Sequence, residues 1–112
     1  MPQLQPAYLA EIEAIVEIGT SFHRLGVNAY RIEATLSTLA EKKGLEGQFF
    51  FTPTIIIASF KTPDGEIGRH VRIEPGNIDL GKLCAVDSLA HQYSQETLSA
   101  QALLLALEKT LK

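Results

Sequence analysis

The chain has 112 residues, of which 46% are hydrophobic and 21% charged, and this composition is typical of one folded domain rather than of a disordered segment. The formal net charge of -3 and the scatter of Lys and Arg along the chain argue against nucleic acid as a partner, because phosphate binding requires a basic surface. A single cysteine cannot form an internal disulfide, we find no secretion signal pattern, and no apolar run approaches the length needed to span a bilayer.

Apolar residues at helical spacing predict two helices in the first part of the chain. The first is expected over residues 6–25, with Pro6 in its first turn and Gly26 as a left-handed cap at its end. Asn28 is a typical N-cap residue for the second helix, which Gly44 ends. Because the connecting turn is short, we expect the two helices to lie roughly antiparallel.

The pattern then changes to that of β-strands. Consecutive Phe residues within 48–52 and consecutive Ile residues within 54–61 predict two strands rich in aromatic and β-branched side chains. Pro53 lies between them and is expected at a corner, since proline donates no ladder hydrogen bond. Residues 62–65 have the sequence TPDG, which favours a type I turn. The alternating pattern of residues 67–73 then predicts a half-exposed third strand, paired with the second as a hairpin.

Two further helices are expected in the last third of the chain. Asp79 is the predicted N-cap of a helix that runs to about Tyr93, with an apolar stripe that begins at Leu80. After a polar break, Ser99 caps a last helix over about residues 100–111.

The order of elements is therefore ααβββαα. We predict an α+β fold in which helices cover one face of a small three-stranded antiparallel sheet. We expect residues 1–112 to form one soluble domain.

The densest group of polar side chains lies at the start of the second helix. Helix geometry puts Tyr30 and Glu33 on one flank and Arg31 on the other, so Arg31 and Glu33 must each find a partner elsewhere. The plainer interpretation is structural. Glu33 then compensates the helix dipole, Tyr30 packs partly between helices, and Arg31 is solvated or pairs with a surface acid.

Other chemically capable side chains also have plainer structural interpretations. Asp87 and His91 have the i,i+4 spacing of a metal pair or of an acid and base, but no further ligand lies nearby in sequence; we predict no metal and no cofactor. Cys84 has no nucleophile motif around it and is predicted to be buried by packing. Thr52 and Thr54 flank the proline corner, where their hydroxyl groups line a polar site or, more simply, satisfy the backbone.

Four short motifs occur in order along the chain. Residues 26–33, GVNAYRIE, are similar to a G-x-E-T-Y-R-V-E signature, and residues 51–54, FTPT, to an F-x-T-P-T strand corner. Residues 71–73, VRI, match a strand that follows a hairpin, and residues 78–83, IDLGKL, match an I-D-L-x-K-L helix start. Together these motifs resemble the threonine/serine exporter family over about residues 12–112. Asn28 departs from the pattern, because it stands where the family usually has Glu.

The resemblance implies the soluble region of an inner-membrane exporter of threonine, serine or related small metabolites, whose transmembrane domain lies outside residues 1–112. We therefore predict an accessory or gating domain, cytoplasmic and at the inner face of the inner membrane, that binds rather than catalyses. Its expected partners are the exporter's membrane domain or subunit and a small amino acid or carboxylate. In the resemblance, the family signature falls on Tyr30, Arg31, Glu33, Thr52, Pro53, Thr54, Asp79 and Leu80.

Six of these residues are the candidate ligand-binding set, namely all except Pro53 and Leu80. In the binding hypothesis, Arg31 recognises a carboxylate together with Tyr30 and Thr52 or Thr54, because an arginine fork suits a carboxylate. Glu33 then orients the arginine or contacts an ammonium group.

Two other functions remain open. One is a hydrolase of small amino-acid derivatives, with Glu33 or Asp79 as general base, which requires an acid, a base and a hydroxyl group to converge in a pocket. The other is a protein-interaction or homo-oligomerisation module, for which the apolar run 102–107 and the sheet would supply an exposed patch.

Overall fold

The computed structural model describes residues 7–74 and 76–111, and within them the elements follow the predicted order ααβββαα. The predicted helix start at Pro6 lies outside these residues. The fold is α+β, as predicted. Its helices are α1 (Ala7–Arg24), α2 (Ala29–Lys42), α3 (Leu80–Ser94) and α4 (Ala100–Leu111), and its strands are β1 (Glu46–Phe51), β2 (Ile55–Thr62) and β3 (Gly65–Arg72).

Local sequence signals set the ends of the first two helices. Gly26 has a φ of 84°, and its amide donates to the carbonyl oxygen of His23 at 3.1 Å, which ends α1 in a left-handed cap. The side chain of Asn28 accepts a hydrogen bond from the backbone nitrogen of Tyr30 at 2.8 Å and caps α2. Gly44, with a φ of 75°, follows the end of α2. The predicted caps are thus confirmed.

The three strands form an antiparallel sheet in the order β1-β2-β3. Thr62 pairs with Gly65, so residues 63–64 form a two-residue hairpin loop. The predicted hairpin is confirmed, although β1 and β3 begin about two residues earlier than the sequence pattern suggested. Side chains alternate along the strands: Phe60 of β2 is buried towards the helices, whereas its neighbour Lys61 is exposed on the other face.

α1 lies at the centre of the fold. It packs against α2, α3 and α4, and it also contacts β2, while α2 packs against β1. Because neighbours surround it, α1 is buried well beyond a single stripe, and Ser21 is buried within it. The hydroxyl group of Ser21 donates to the Glu17 carbonyl oxygen at 2.7 Å, which satisfies this buried polar group within the helix itself.

Two positions of α3 differ from the sequence prediction. Leu80 was placed in the apolar stripe but is 71% exposed, and Cys84 was predicted to be buried but is exposed. The rest of the buried face agrees with the predicted stripe, since it carries Val86, Ala90 and Tyr93. At about 100° per residue, Cys84 points roughly 200° away from Val86, so a helix that buries Val86 against α1 and α4 must expose Cys84.

Candidate functional site

A groove lies between α2 and α3. Among the described residues, α2 and α3 are not a closely packed helix pair, since each packs against α1 instead. Two adjoining cavities fill the space between them, a smaller one of about 230 Å³ and a larger one of about 570 Å³. Thr35 and Asp87 line both cavities, so we treat them as two sections of one α2–α3 groove.

The periodicity of both helices explains the polar lining of the groove. On α2, Arg31, Thr35 and Thr38 recur at spacings of four and three, and therefore follow one flank beside the buried stripe. On α3, Asp87 and His91 are one turn apart and lie across the groove. The smaller section is lined by Phe22, Val27, Arg31, Ile32, Thr35, Leu83, Cys84 and Asp87.

The smaller section holds two side chains of opposite charge. Arg31 and Asp87 both line it, one from each helix. The ion pairs found in residues 7–74 and 76–111 are Lys61–Glu46 and Arg69–Glu13, so Arg31 and Asp87 are not paired with each other. Within the same residues, neither side chain forms a hydrogen bond. Both charges are therefore available to a ligand that carries the complementary charges.

The larger section continues along the same two helices and ends at a direct link between them. The ammonium group of Lys42 on α2 donates a hydrogen bond to the hydroxyl group of Ser94 on α3 at 2.9 Å. This link holds one end of the helix pair together, while the end near Arg31 has no such link among the described residues.

Arg31 is the one predicted site residue that lines the groove. The structural interpretation placed Tyr30 partly between helices. This is wrong, because Tyr30 is 84% exposed. Glu33 is exposed, and its carboxylate has no hydrogen bond or ion pair in the part of the chain that the structure describes.

The other three predicted residues lie away from the groove. The Thr52 hydroxyl group accepts from the backbone nitrogen of Ile55 at 3.0 Å, so it satisfies the backbone where the chain turns at Pro53, the simpler of its two predicted roles. Thr54 is exposed beside it. Asp79 accepts from the backbone nitrogen of Lys82 at 3.0 Å and caps α3, as predicted. That the six residues form one ligand site stays a prediction. Of the six, only Arg31 lines the groove.

Sequence reasoning missed the groove partners of Arg31. Thr35 follows Arg31 by one helical turn, which is a signal the sequence contained, but threonine within a helix is common and carries little information alone. Asp87 was considered only as a partner of His91. Both of these α3 residues line the larger section, and among the described residues no group of three or more His, Cys, Asp or Glu side chains could hold a metal ion.

A separate polar cluster joins α1 to α3 outside the groove. The hydroxyl group of the fully buried Tyr93 donates to the carboxylate of Glu11, and the Lys43 ammonium group lies 4.1 Å from the centre of the Tyr93 ring. Burial raises the pKa of Glu11, the Lys43 charge lowers it, and the Glu96 charge raises it further. These contacts fasten the end of α3 to α1, and so we assign the cluster a structural role.

The structure defines a small α+β fold with a groove between α2 and α3. The chain belongs to the threonine/serine exporter family, because a family model described as "Putative threonine/serine exporter" matches residues 13–112. This match confirms the family that the four motifs indicated. No curated protein and no solved structure shows significant similarity to the chain. None of the helices in the described part of the chain has the length and apolar character needed to cross a membrane.

Proposed function

We propose that this chain is a cytoplasmic accessory or gating domain of a threonine/serine exporter, and that it binds a small amino acid in the α2–α3 groove. Family membership supports the association with an exporter. One observation supports the binding role. Arg31 and Asp87 carry opposite charges, form no ion pair with each other, and line the same cavity of about 230 Å³.

A free amino acid carries the two charges that this cavity would complement. The planar guanidinium group of Arg31 suits the carboxylate, to which it can donate two parallel hydrogen bonds. The carboxylate of Asp87 accepts from the ammonium group, and the Thr35 hydroxyl group is available to a polar side chain such as that of threonine. The sequence suggested that Glu33 orients the arginine or contacts the ammonium group. Because Asp87 lines the groove and Glu33 does not, we propose Asp87 for the ammonium contact.

The volume of the smaller section suits a small metabolite. Sites for drug-sized molecules begin at about 300 Å³, whereas this section has about 230 Å³. A molecule of few heavy atoms would fill it, with the apolar floor of Phe22 and Ile32 against its carbon atoms.

The position of the groove, between helices that do not pack closely together, supports the gating role. A ligand that contacts Arg31 and Asp87 at once would bind best when α2 and α3 approach each other, and it would therefore shift the domain towards that arrangement. The partner that responds to this shift would be the exporter's membrane domain or subunit at the inner face of the inner membrane.

The position of Cys84 offers a direct test of binding. It is the single cysteine of the chain, it is exposed, and it lines the same cavity as Arg31 and Asp87. We expect L-threonine or L-serine to slow the reaction of Cys84 with a thiol reagent in a saturable manner, and calorimetry to give the same affinity. No protection and no heat with either amino acid would refute the proposed site.

Variants assign the two charged contacts. A hydrogen bond to a charged group contributes about 1.5–3 kcal/mol, so Arg31→Ala and Asp87→Ala should each weaken binding by roughly ten- to a hundredfold. Arg72→Ala, which removes an exposed arginine from the sheet, is the matched control and should bind normally. L-Threoninamide lacks the carboxylate charge, so its weaker binding should be insensitive to Arg31→Ala.

The gating role needs a transport measurement. The domain is expressed together with the exporter's membrane domain, and threonine efflux is followed for the natural sequence and for Arg31→Ala. We expect the variant to change how efflux depends on internal threonine. Unchanged efflux in a variant that has lost binding would refute gating while leaving binding intact.

We do not propose the hydrolase. It requires Glu33 or Asp79 in a pocket with a hydroxyl group, but neither carboxylate lines the groove, and Asp79 is engaged as the N-cap of α3.

A further inference from the structure

The outer face of the sheet, away from the helices, carries apolar side chains. We call this surface the outer sheet face; Phe50 is 62% exposed on it, Ile55 40% and Ile57 39%. Phe50, Ile57 and His70 form one row across the three strands, because Phe50 pairs with Ile57 and Ile57 with His70. The open face of an antiparallel sheet is normally polar, so this apolar row favours a surface that another molecule covers.

Charges lie at opposite ends of the outer sheet face. On β3, Glu66 is at one end and Arg72 at the other, about 20 Å apart at roughly 3.3 Å per residue. At the Glu66 end, Lys61 lies 4.0 Å from Glu46, so those two charges offset each other and Glu66 leaves that end negative. The face is therefore negative at one end of β3 and positive at the other.

This polarity makes the face complementary to a second copy of itself. A two-fold axis that runs across the strands stacks β3 on β3 in reversed direction, so that Glu66 faces Arg72 of the partner subunit twice. An axis along the strands would instead bring Glu66 against Glu46 of the partner subunit, which places like charges together. The charge distribution thus selects the first arrangement.

The shape of the face fits the same arrangement. Gly68 has no side chain, and an added Cβ would lie 3.9 Å from its nearest neighbour, the carbonyl oxygen of Ala58, so the surface above Gly68 is open. In the reversed stacking, Gly68 faces His70 of the partner subunit, and Ser59 faces Ile57 of the partner subunit. The two small residues Gly68 and Ser59 therefore lie opposite the bulkier His70 and Ile57 of the partner subunit.

We propose that two copies of this chain form a two-fold dimer through the outer sheet face, with β3 stacked antiparallel on β3. The face measures roughly 20 Å along the strands and 14 Å across them, or about 280 Å² on each subunit, which is less than a stable dimer buries. We therefore expect a weak, transient dimer whose population rises with protein concentration. The proposal is independent of the amino-acid site, because the groove lies between α2 and α3.

Sedimentation equilibrium of the 112-residue chain, from micromolar to near-millimolar concentration, measures the dimer directly. Phe50→Ser should shift the monomer–dimer equilibrium at least tenfold towards monomer. Leu105→Ser is the matched control, because Leu105 is also 62% exposed but lies on α4, and this variant should dimerise normally. A natural chain that stays monomeric throughout, or a dimer that Phe50→Ser leaves unchanged, overturns the proposal.

Charge reversal tests the orientation. Glu66→Arg alone and Arg72→Glu alone should each be monomeric, because every contact at both ends then joins like charges. Mixing the two variants should restore a heterodimer, because one chain then carries arginine at both positions and the other carries glutamate at both. The double variant should also dimerise, since it only exchanges the two charges. Circular dichroism establishes that each variant is folded. Folded single variants that fail to form a heterodimer on mixing refute the proposed stacking.

Discussion

Gly19 of α1 lies directly against the side chain of Leu36 of α2. A Cβ atom added there would lie 2.6 Å from Cδ1 of Leu36, which is well inside van der Waals contact, and Leu36 is fully buried. Gly19→Ala should gain about 1 kcal/mol in helix propensity. Against this, overpacking of a core position costs about 1–3 kcal/mol, and Leu36, which would have to move, is fully buried. We expect a net loss of about 1 kcal/mol in the free energy of unfolding.

Urea denaturation followed by circular dichroism measures this loss, which corresponds to a fall of roughly 4 °C in Tm for a domain of this size. The sign should reverse when Leu36 is shortened. In a Leu36→Val background, which removes both Cδ atoms, Gly19→Ala should stabilise the protein by about 1 kcal/mol. A stabilising Gly19→Ala in the natural background, or the same effect in both backgrounds, would refute the reasoning that Leu36 requires glycine at this crossing.

Two further predictions concern a helix cap and a half-buried acid. Asn28→Ala removes the acceptor for the Tyr30 backbone nitrogen and should lower the free energy of unfolding by about 1 kcal/mol. Asn28→Asp keeps an acceptor and should leave the stability unchanged. An Asn28→Ala variant as stable as the natural chain would contradict the assigned cap. Burial raises the pKa of Glu11 above its ordinary value of 4.5, so the folded state holds that proton more tightly than the unfolded state. The resulting stabilisation is present below pH 4.5 and is lost as the pH rises through the folded-state pKa. Relative to Glu11→Gln, the natural chain should therefore lose stability as the pH increases across this range. Urea midpoints of both proteins at several pH values measure this change. A difference in midpoint between the two proteins that stays constant with pH would contradict the prediction.

The element order and most element ends follow from local sequence signals. Gly26, Asn28, Asp79 and Ser99 act through contacts with backbone groups a few residues away, so their roles could be predicted without tertiary structure. The two-residue turn at residues 63–64 belongs to the same class.

The candidate site could be predicted only in part. The signature residues are neighbours in sequence or in motif, whereas Arg31 and Asp87 line one groove from two helices that are far apart along the chain. Spacing within a helix can indicate which residues share a flank. It carries no information about which other helix that flank will face, because this depends on how both helices pack against α1.

The same difference between locally determined and tertiary features applies to the whole protein. The family, the order ααβββαα and the helix caps could all be predicted from the amino-acid sequence, because they depend on motifs and on hydrogen bonds over short distances along the chain. The burial of α1 well beyond one stripe, the exposure of Cys84, and the cavity that Arg31 shares with Asp87 became visible only in the folded chain. These features depend on the rotation of each helix about its axis, which is set by the packing of side chains distant in sequence.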